Sequence, residues 1–325
     1  MPLTKKIRVG VLRGGPSSEY AVSLKTGQSV LNHLPRDKYD AVDIFISEDG
    51  VWHIHGLPKN EHDALHTLDV VINAMHGEYG EDGKVQAILD HMQMPYTGSQ
   101  AFASALAMRK DLAKQALKGT GIKTPYWKTV TKEDVSEESL SELFRIIPHP
   151  SVVKPAGSGS SVGVSIVKSF EELVGALDKA FSVGDTAIIE EYIQGREATC
   201  GIINDFRNEK LYALLPVEII PASDRPFFDH AAKYEGKSEE VCPGNFEQEV
   251  KDELQRLSKL VHEHLGLRHY SRSDFIIHPT RGIYFLEVNT LPGLTSESLL
   301  PKSLIAVGSS LPEFLDHIVT LARNK

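Results

Sequence analysis

Two β-rich runs near the C-terminus, residues 269–278 and 283–288, constrain this chain more than any other feature, because only Pro279-Thr280-Arg281-Gly282 separates them. Proline and glycine in so short a connection favour a tight antiparallel hairpin. If His278 pairs with Ile283, Asp274 falls opposite Glu287 and Arg272 opposite Asn289. Side chains alternate along a strand, so these four share one face, and the apolar Phe275, Ile277, Tyr284, Leu286 and Val288 are expected on the other. Two acids directly opposite each other repel, and something positive must offset that. Asp, Glu and Asn are oxygen donors, a set that suits Mg2+ held by a few side chains and substrate phosphates. A solvated hairpin face with Arg272 pairing an acid is the plainer alternative at this point.

The rest of the chain divides by pattern. The apolar run 7–12 ends in Arg13-Gly14-Gly15-Pro16, a strand and a turn, and Ser17 or Ser18 is expected to cap a helix running to about Leu34 with Glu19 in its first turn. Further strands are expected at 41–46 and 70–74 and a helix at 84–92. Such alternation predicts a parallel sheet in an N-terminal α/β domain, residues 1–100. A helix over 101–117, another over 136–144, β-runs at 151–154 and 162–167, a helix over 170–181 and a strand at 186–190 predict a small α+β domain, 101–189. Strands at 198–203 and 211–220 open a third domain, 190–325. Its polar stretch 222–244 is too long for an ordinary connection and reads as a lid or binding loop. An amphipathic helix over 246–265, the hairpin and a helix over 311–323 complete it.

With 325 residues, two or three domains fit. A net charge of −9 argues against nonspecific nucleic-acid binding. No stretch approaches the ~20 apolar residues of a membrane span. The apolar run near the N-terminus is too short for a signal peptide and is interrupted by Arg8, so a cytoplasmic protein without a membrane partner is expected. Cys200 and Cys242 form no C-x-x-C and read as small hydrophobes. Neither His53 and His55 nor His262 and His264 have the spacing of a helical zinc motif.

There is no G-x-x-x-x-G-K-[ST]: Gly236-Lys237-Ser238 resembles its tail, but Ala231 stands where the first glycine belongs. Between two β-runs lies Lys154-Pro155-Ala156-Gly157-Ser158-Gly159-Ser160-Ser161-Val162-Gly163. Its glycines let backbone N–H groups approach an anion, Ser160 and Ser161 add hydroxyls, and Lys154 adds charge. A flexible hairpin tip is the bland alternative. Lys110 and Lys233 are further candidate phosphate ligands. Glu190-Glu191-Tyr192-Ile193, with Glu197, could offer backbone groups to an adenine and a carboxylate to a ribose; taken alone it is the end of a strand.

Taken together, the motifs are recognisable. Gly14-Gly15-Pro16-Ser17-Ser18-Glu19, His76-Gly77-Glu78-Tyr79-Gly80-Glu81-Asp82-Gly83 and Tyr96-Thr97-Gly98-Ser99 occur in order with Val153-Lys154-Pro155, Ala232-Lys233-Tyr234, Arg272-Ser273-Asp274-Phe275 and Glu287-Val288-Asn289-Thr290-Leu291-Pro292-Gly293. From Gly14 to about Pro301 the chain resembles the D-alanine–D-alanine ligases. The resemblance implies a three-domain ATP-grasp fold with ATP between the last two domains, a homodimer, and small-molecule partners only. By position, Asp274, Glu287 and Asn289 would bind two Mg2+ ions, with Mn2+ as a substitute. Lys110, Lys154, Lys233, Ser160 and Ser161 would hold the phosphates, and Glu190, Glu191, Tyr192, Ile193 and Glu197 the adenosine. Glu19 would engage the amine of the first D-alanine with His76 nearby. Arg272, Gly293, Ser298 and Leu299 would shape the second D-alanine site and the oxyanion site. Ser160 and Tyr234 would join Glu19 in a hydrogen-bonded triad.

The implied reaction has two steps. The first D-alanine's carboxylate attacks the γ-phosphate to give an acyl phosphate, and the second D-alanine's amine displaces the phosphate, giving D-alanyl-D-alanine for peptidoglycan, the polymer of cell wall and cell shape. The chain departs from the family at Arg109, where Asp is usual, at His230, where many members have Tyr, and at Glu297, where some have His. An inward-pointing Glu297 would repel the acceptor's carboxylate. Three rivals remain: a D-alanine–D-lactate ligase, which Tyr234 disfavours; another amino-acid ligase of the same fold; and a catalytically dead nucleotide-binding regulator, which would be expected to lose a metal ligand or a phosphate lysine.

Overall fold

The computed structural model describes residues 5–159, 162–221 and 238–324. Three sheets organise the chain. In the first, β1 (Ile7–Gly14) lies between β2 (Tyr39–Ile46) and β5 (Val70–Asn73), all parallel. Val9, Val11, Val70, Val71 and Ile72 are fully buried, as strands covered on both faces must be. Helices α1 (Tyr20–His33), α2 (Glu61–Leu65) and α3 (Lys84–His91) connect and flank these strands. Two short strands, β3 (Trp52–Ile54) and β4 (Leu57–Lys59), add an antiparallel edge that the alternation pattern did not reveal. The start of α1 also differs from expectation. Neither Ser17 nor Ser18 is its N-cap; Glu19 occupies that position without capping through its side chain. Ser17 Oγ instead accepts the Glu19 N–H at 3.1 Å, tightening the turn before the helix.

The second sheet is antiparallel, in the order β6 (Trp127–Thr131), β9 (Thr186–Glu191), β7 (Ser151–Pro155), β8 (Ser165–Val167). It is covered by α6 (Glu137–Ile146) and α7 (Phe170–Phe181), which start at Ser136 and Ser169, each accepting a backbone N–H from its own first turn. The helix expected over 101–117 is two helices, α4 (Ala101–Met108) and α5 (Lys110–Ala116). The break is at Arg109, whose ψ of 98° is extended, and the Lys110 N–H leaves the helix to reach the Ala156 carbonyl at 2.9 Å. Ala103, Ala107, Ala113 and Leu117 pack with Phe275 and Phe285 of the third unit rather than with the second sheet's core.

The third sheet runs β13 (Ser238–Val241), β12 (Val217–Pro221), β10 (Arg196–Phe206), β14 (Tyr270–His278), β15 (Gly282–Asn289), with β11 (Glu209–Ala213) also paired to β10. The single strand expected at 211–220 is thus divided into β11 and β12. Helix α8 (Gln248–His264) packs on this sheet, and α9 (Leu299–Ala306) and α10 (Leu311–Arg323) close the chain. Phe314, Leu315, Ile318 and Val319 of α10 share a core with Val9, Val11 and Ile72, so the last helix covers the first sheet. Cys200 is buried and Cys242 half-buried, and neither forms a disulfide. Among the described residues, no single helix is long and apolar enough to cross a membrane.

Candidate active site

The hairpin reaches its expected register by an unexpected route. His278 pairs with Gly282, one residue tighter than anticipated, and Gly282 closes the turn at a φ of +87°. A bulge between Asp274 and Phe275 then restores the count, so that Asp274 faces Glu287 and Arg272 faces Asn289. The extra residue is Leu286, and its position corrects the expected facing. Phe285, not Leu286 or Tyr284, enters the core beside Phe275, with ring centroids 5.9 Å apart. Leu286 instead lines the cleft together with its neighbour Glu287.

The two acids are held by cations and polar neighbours. Arg272 grips Asp274 with both arms (Nε to Oδ1 3.0 Å, Nη2 to Oδ2 3.1 Å). Thr199, opposite Asp274 on β10, donates to Oδ1 at 2.6 Å, and the Asn289 amide donates to Oδ2 at 3.3 Å. Lys110 lies 3.2 Å from Glu287 and donates to the Ser158 carbonyl at 2.6 Å. The break before α5 is what starts that helix at Lys110, beside the acid. Two carboxylates and one amide oxygen, with cations already drawn to them, fit a hard divalent ion.

A second charged group lies deeper. Glu190, at the end of β9, forms ion pairs with Lys114 of α5 and Lys154 of β7, each at 2.8 Å, and all three are buried. Burial pushes the Glu190 carboxyl up, but the two lysines together hold it below its ordinary range. Burial pushes the Lys114 ammonium down to about 8 in spite of Glu190. Lys154 is driven down by burial as well, yet Glu190 and Glu287 keep it above its ordinary value. Lys154 is therefore a fixed cation lining the cleft.

Between the second and third sheets this cleft has an apolar slot formed by Val152, Val164, Ile166, Ile193, Ile219 and Leu286, with Glu190, Glu191, Tyr192 and Glu197 along one side. The Glu191 and Tyr192 N–H groups are accepted by the Tyr126 and Pro150 carbonyls at 2.8 and 3.0 Å, and the Glu191 carboxylate pairs with Arg281. A second pocket continues from it and shares Lys110, Ser158, Gly159, Arg272, Glu287 and Leu299. It runs to Glu19, His76, Glu81, Asn289, Gly293 and Ser298.

At this far end Glu19 sits against two glycines. A Cβ on Gly77 would fall 2.9 Å from Glu19 Oε2, and one on Gly159 2.6 Å from the same atom. Gly77 also has a φ of +70°, so no other residue fits there without strain. His76 is bonded to Thr26 Oγ1 at 2.8 Å, and burial lowers its pKa although Glu19 opposes this. Glu81 is buried; burial raises its carboxyl to about 8, and Glu19 adds to the shift. The Ser298 hydroxyl lies against Gly293, 2.7 Å from where a Cβ would stand, and interacts with Thr295 Oγ1 at 2.8 Å. The carboxylate of Glu297 is 86% exposed and 3.9 Å from Lys302, so it meets solvent and a cation.

The structure thus brings together Glu19, His76, Lys110, Lys154, Glu190, Glu191, Tyr192, Ile193, Glu197, Arg272, Asp274, Glu287, Asn289, Gly293, Ser298 and Leu299 along one continuous cleft. Ser160, Ser161, His230, Lys233, Tyr234 and most of the expected lid lie outside the described residues. Sequence reasoning missed Lys114 and Glu81. Lys114 follows Lys110 by four residues, one helical turn, and that spacing was its only signal. Glu81 was visible in its motif, but its partner is 210 residues away.

A family model described as D-ala D-ala ligase C-terminus matches residues 116–320, and one described as D-ala D-ala ligase N-terminus matches residues 8–64 and 53–99. The D-alanine--D-alanine ligase of Desulfotalea psychrophila is 37% identical over 325 residues, covering 99% of this chain and 96% of that protein. The solved D-alanine-D-alanine ligase from Coxiella burnetii superposes with a TM-score of 0.85 at 27% identity, covering 99% of this chain and 95% of that one. The VanG D-Ala:D-Ser ligase from Enterococcus faecalis also gives a TM-score of 0.85, at 28% identity, covering 98% of this chain and 100% of its own. The fold is accordingly that of the ATP-grasp ligases. Matched from end to end in sequence, and sharing this fold, the chain belongs to the D-alanine–D-alanine ligase family.

Proposed function

We propose that this chain joins two D-alanines into D-alanyl-D-alanine at the expense of ATP, through an acyl phosphate. The observation that carries this is the continuity of the cleft: an apolar slot for a base, then Lys154 and Lys110, then the acid pair, then Glu19. Adenine enters the slot between the second and third sheets, bonded by backbone groups of 190–193. Glu197 takes the ribose. Lys154, fixed by Glu190, and Lys110 hold the phosphates, with Ser160, Ser161 and Lys233 as further ligands. Asp274, Glu287 and Asn289 would hold two Mg2+ ions, which supply neutralisation of charge on the transferring phosphoryl group.

Glu19 binds the ammonium of the donor D-alanine, with His76 behind it, and so orients the donor's carboxylate toward the γ-phosphate. Ser160 and Tyr234 complete the hydrogen-bonded group around Glu19. Arg272 and the Gly293 N–H face the carbonyl oxygen that becomes negative when the acceptor amine attacks. Ser298 and Leu299 bind the acceptor's carboxylate. Segment 222–244 acts as a lid that keeps water from the acyl phosphate. The domains divide at about 100 and 189, with α4 and α5 serving both neighbours. The product feeds peptidoglycan synthesis in the cytoplasm, and the active form is a homodimer.

The test is phosphate release from ATP in the presence of D-alanine, with Mg2+ titrated. The proposal expects release that needs both D-alanine and the metal, with Mn2+ able to substitute. Nucleotide binding without D-alanine-dependent release would instead indicate a regulator.

A further inference from the structure

Glu81 lies inside the molecule, yet no step above uses it. It is 8% exposed, and its two oxygens serve different parts of the fold. Oε2 accepts the Gly77 N–H at 2.8 Å, within the loop that carries His76. Oε1 accepts the Leu291 N–H at 3.2 Å, in the loop that leads from Asn289 to Gly293. The Leu291 backbone also acts on the His76 ring, raising its pKa against burial, so two side chains of the first loop converge on one residue of the second. A buried carboxyl group is costly in either protonation state unless it is well hydrogen-bonded, and an apolar side chain would fill the same space at less cost. The bonds that this acid makes are therefore what it contributes.

We propose that Glu81 is a positioning residue that clamps the 289–293 loop to the 76–77 loop, and so sets the acceptor and oxyanion end of the cleft in register with the donor amine at Glu19. The inference rests on the proposed ligase reading for the names of the two ends. The clamp itself is a property of the fold. Its placement explains why Glu81 does not need to touch a reacting atom. Leu291 lies midway between Asn289, whose amide donates to Asp274, and Gly293, which abuts Ser298. Releasing Leu291 loosens both at once, while the slot for the base, bounded by β7, β8 and β12, is untouched.

The experiment uses the full chain and compares wild type with Glu81→Gln. Gln keeps the shape, but its amide can accept from only one of the two N–H groups. ATP KM, D-alanine dependence and kcat are measured, together with hydrogen exchange of the peptide spanning 289–294. The expected result is an ATP KM within about twofold of wild type, kcat for dipeptide lower by about tenfold or more, a raised apparent KM for the acceptor, and exchange at 289–294 at least about tenfold faster. Unchanged exchange and acceptor KM in a folded E81Q would overturn the proposal, as would a loss confined to ATP binding. If E81Q does not fold, wild-type exchange decides: protection of the Leu291 amide supports the clamp, and exchange at the rate of an open loop refutes it. Wild type that makes no dipeptide would defeat the ligase reading, and the exchange result would still judge the clamp.

Discussion

Replacing Glu190 with Gln removes one buried charge that two lysines share. Both ammonium groups lie 2.8 Å from its oxygens, and the side chains of Lys114, Glu190 and Lys154 are 0%, 3% and 10% exposed. Breaking one buried pair costs about 3–5 kcal/mol, because a charge is left without compensation. Here two cations lose the same partner, and no water reaches Lys114 to replace it. Lys114 has one means of relief, which is to release its proton. Its pKa already stands at about 8, below the ordinary 10.5, and losing Glu190 lowers it further. The sign of the pH effect follows. Between the folded pKa and 10.5 the unfolded chain binds more protons than the folded one, so stability rises with pH in that window. In Glu190→Gln the window opens at lower pH, so the deficit against wild type is greatest in mildly acidic buffer and shrinks as pH rises. The expected loss is about 3–5 kcal/mol, or a melting shift of roughly 4–8 °C for a chain of this length. Calorimetric melting across pH measures it, and a nucleotide titration of the same samples reports whether the proposed phosphate site at Lys154 survives. A melting temperature within about 2 °C of wild type, unchanged by pH, would refute the account of this ion triad.

Other consequences are more local. Gly77→Ala puts a Cβ 2.4 Å from Ser17 Oγ and 2.9 Å from Glu19 Oε2 at a φ of +70°; the apparent KM for the donor D-alanine should rise by about tenfold while ATP KM holds, and steady-state kinetics with each substrate varied will show whether the two separate. His262 is buried between Ser271 and Asn204, and burial lowers its pKa from 6.5 to about 4. The unfolded chain takes up a proton there below 6.5 and the folded chain does not until about 4, so this site contributes about 3 kcal/mol that is present above that window and lost as pH falls through it. His269, lowered to about 3 by burial and by Arg268, adds to the same slope. Urea denaturation at decreasing pH should show His262→Gln with a shallower acid slope than wild type, and equal slopes would contradict the assignment.

The pairing of Asp274 with Glu287 was readable because two alternating runs met across a turn rich in proline and glycine. The details were not. The turn is one residue tighter and the Leu286 bulge compensates, and two local choices that cancel leave no trace in hydrophobic periodicity. The break at Arg109 was invisible because 101–117 is helical in composition throughout; the cause is the distant Ala156 carbonyl. Strands β3 and β4 are three residues each, too short for alternation to mark them. That Lys110, Lys154, Asp274, Glu287 and Asn289 gather along one cleft was legible through motif and donor chemistry. Lys114 and Glu81 were not, because what defines each is a partner supplied by tertiary structure.

The measurement that tests the central claim most directly is the identity of the product. The protein is incubated with ATP, Mg2+ and D-alanine, alone and with D-serine, D-lactate or L-alanine, and the products are identified by mass. The account predicts D-alanyl-D-alanine from D-alanine alone, with one ADP and one phosphate formed for each dipeptide. ATP turnover that yields only a mixed product with another acceptor would move the error to the pocket around Glu297, Ser298 and Leu299, and tight MgATP binding with no product from any acceptor would contradict the account outright.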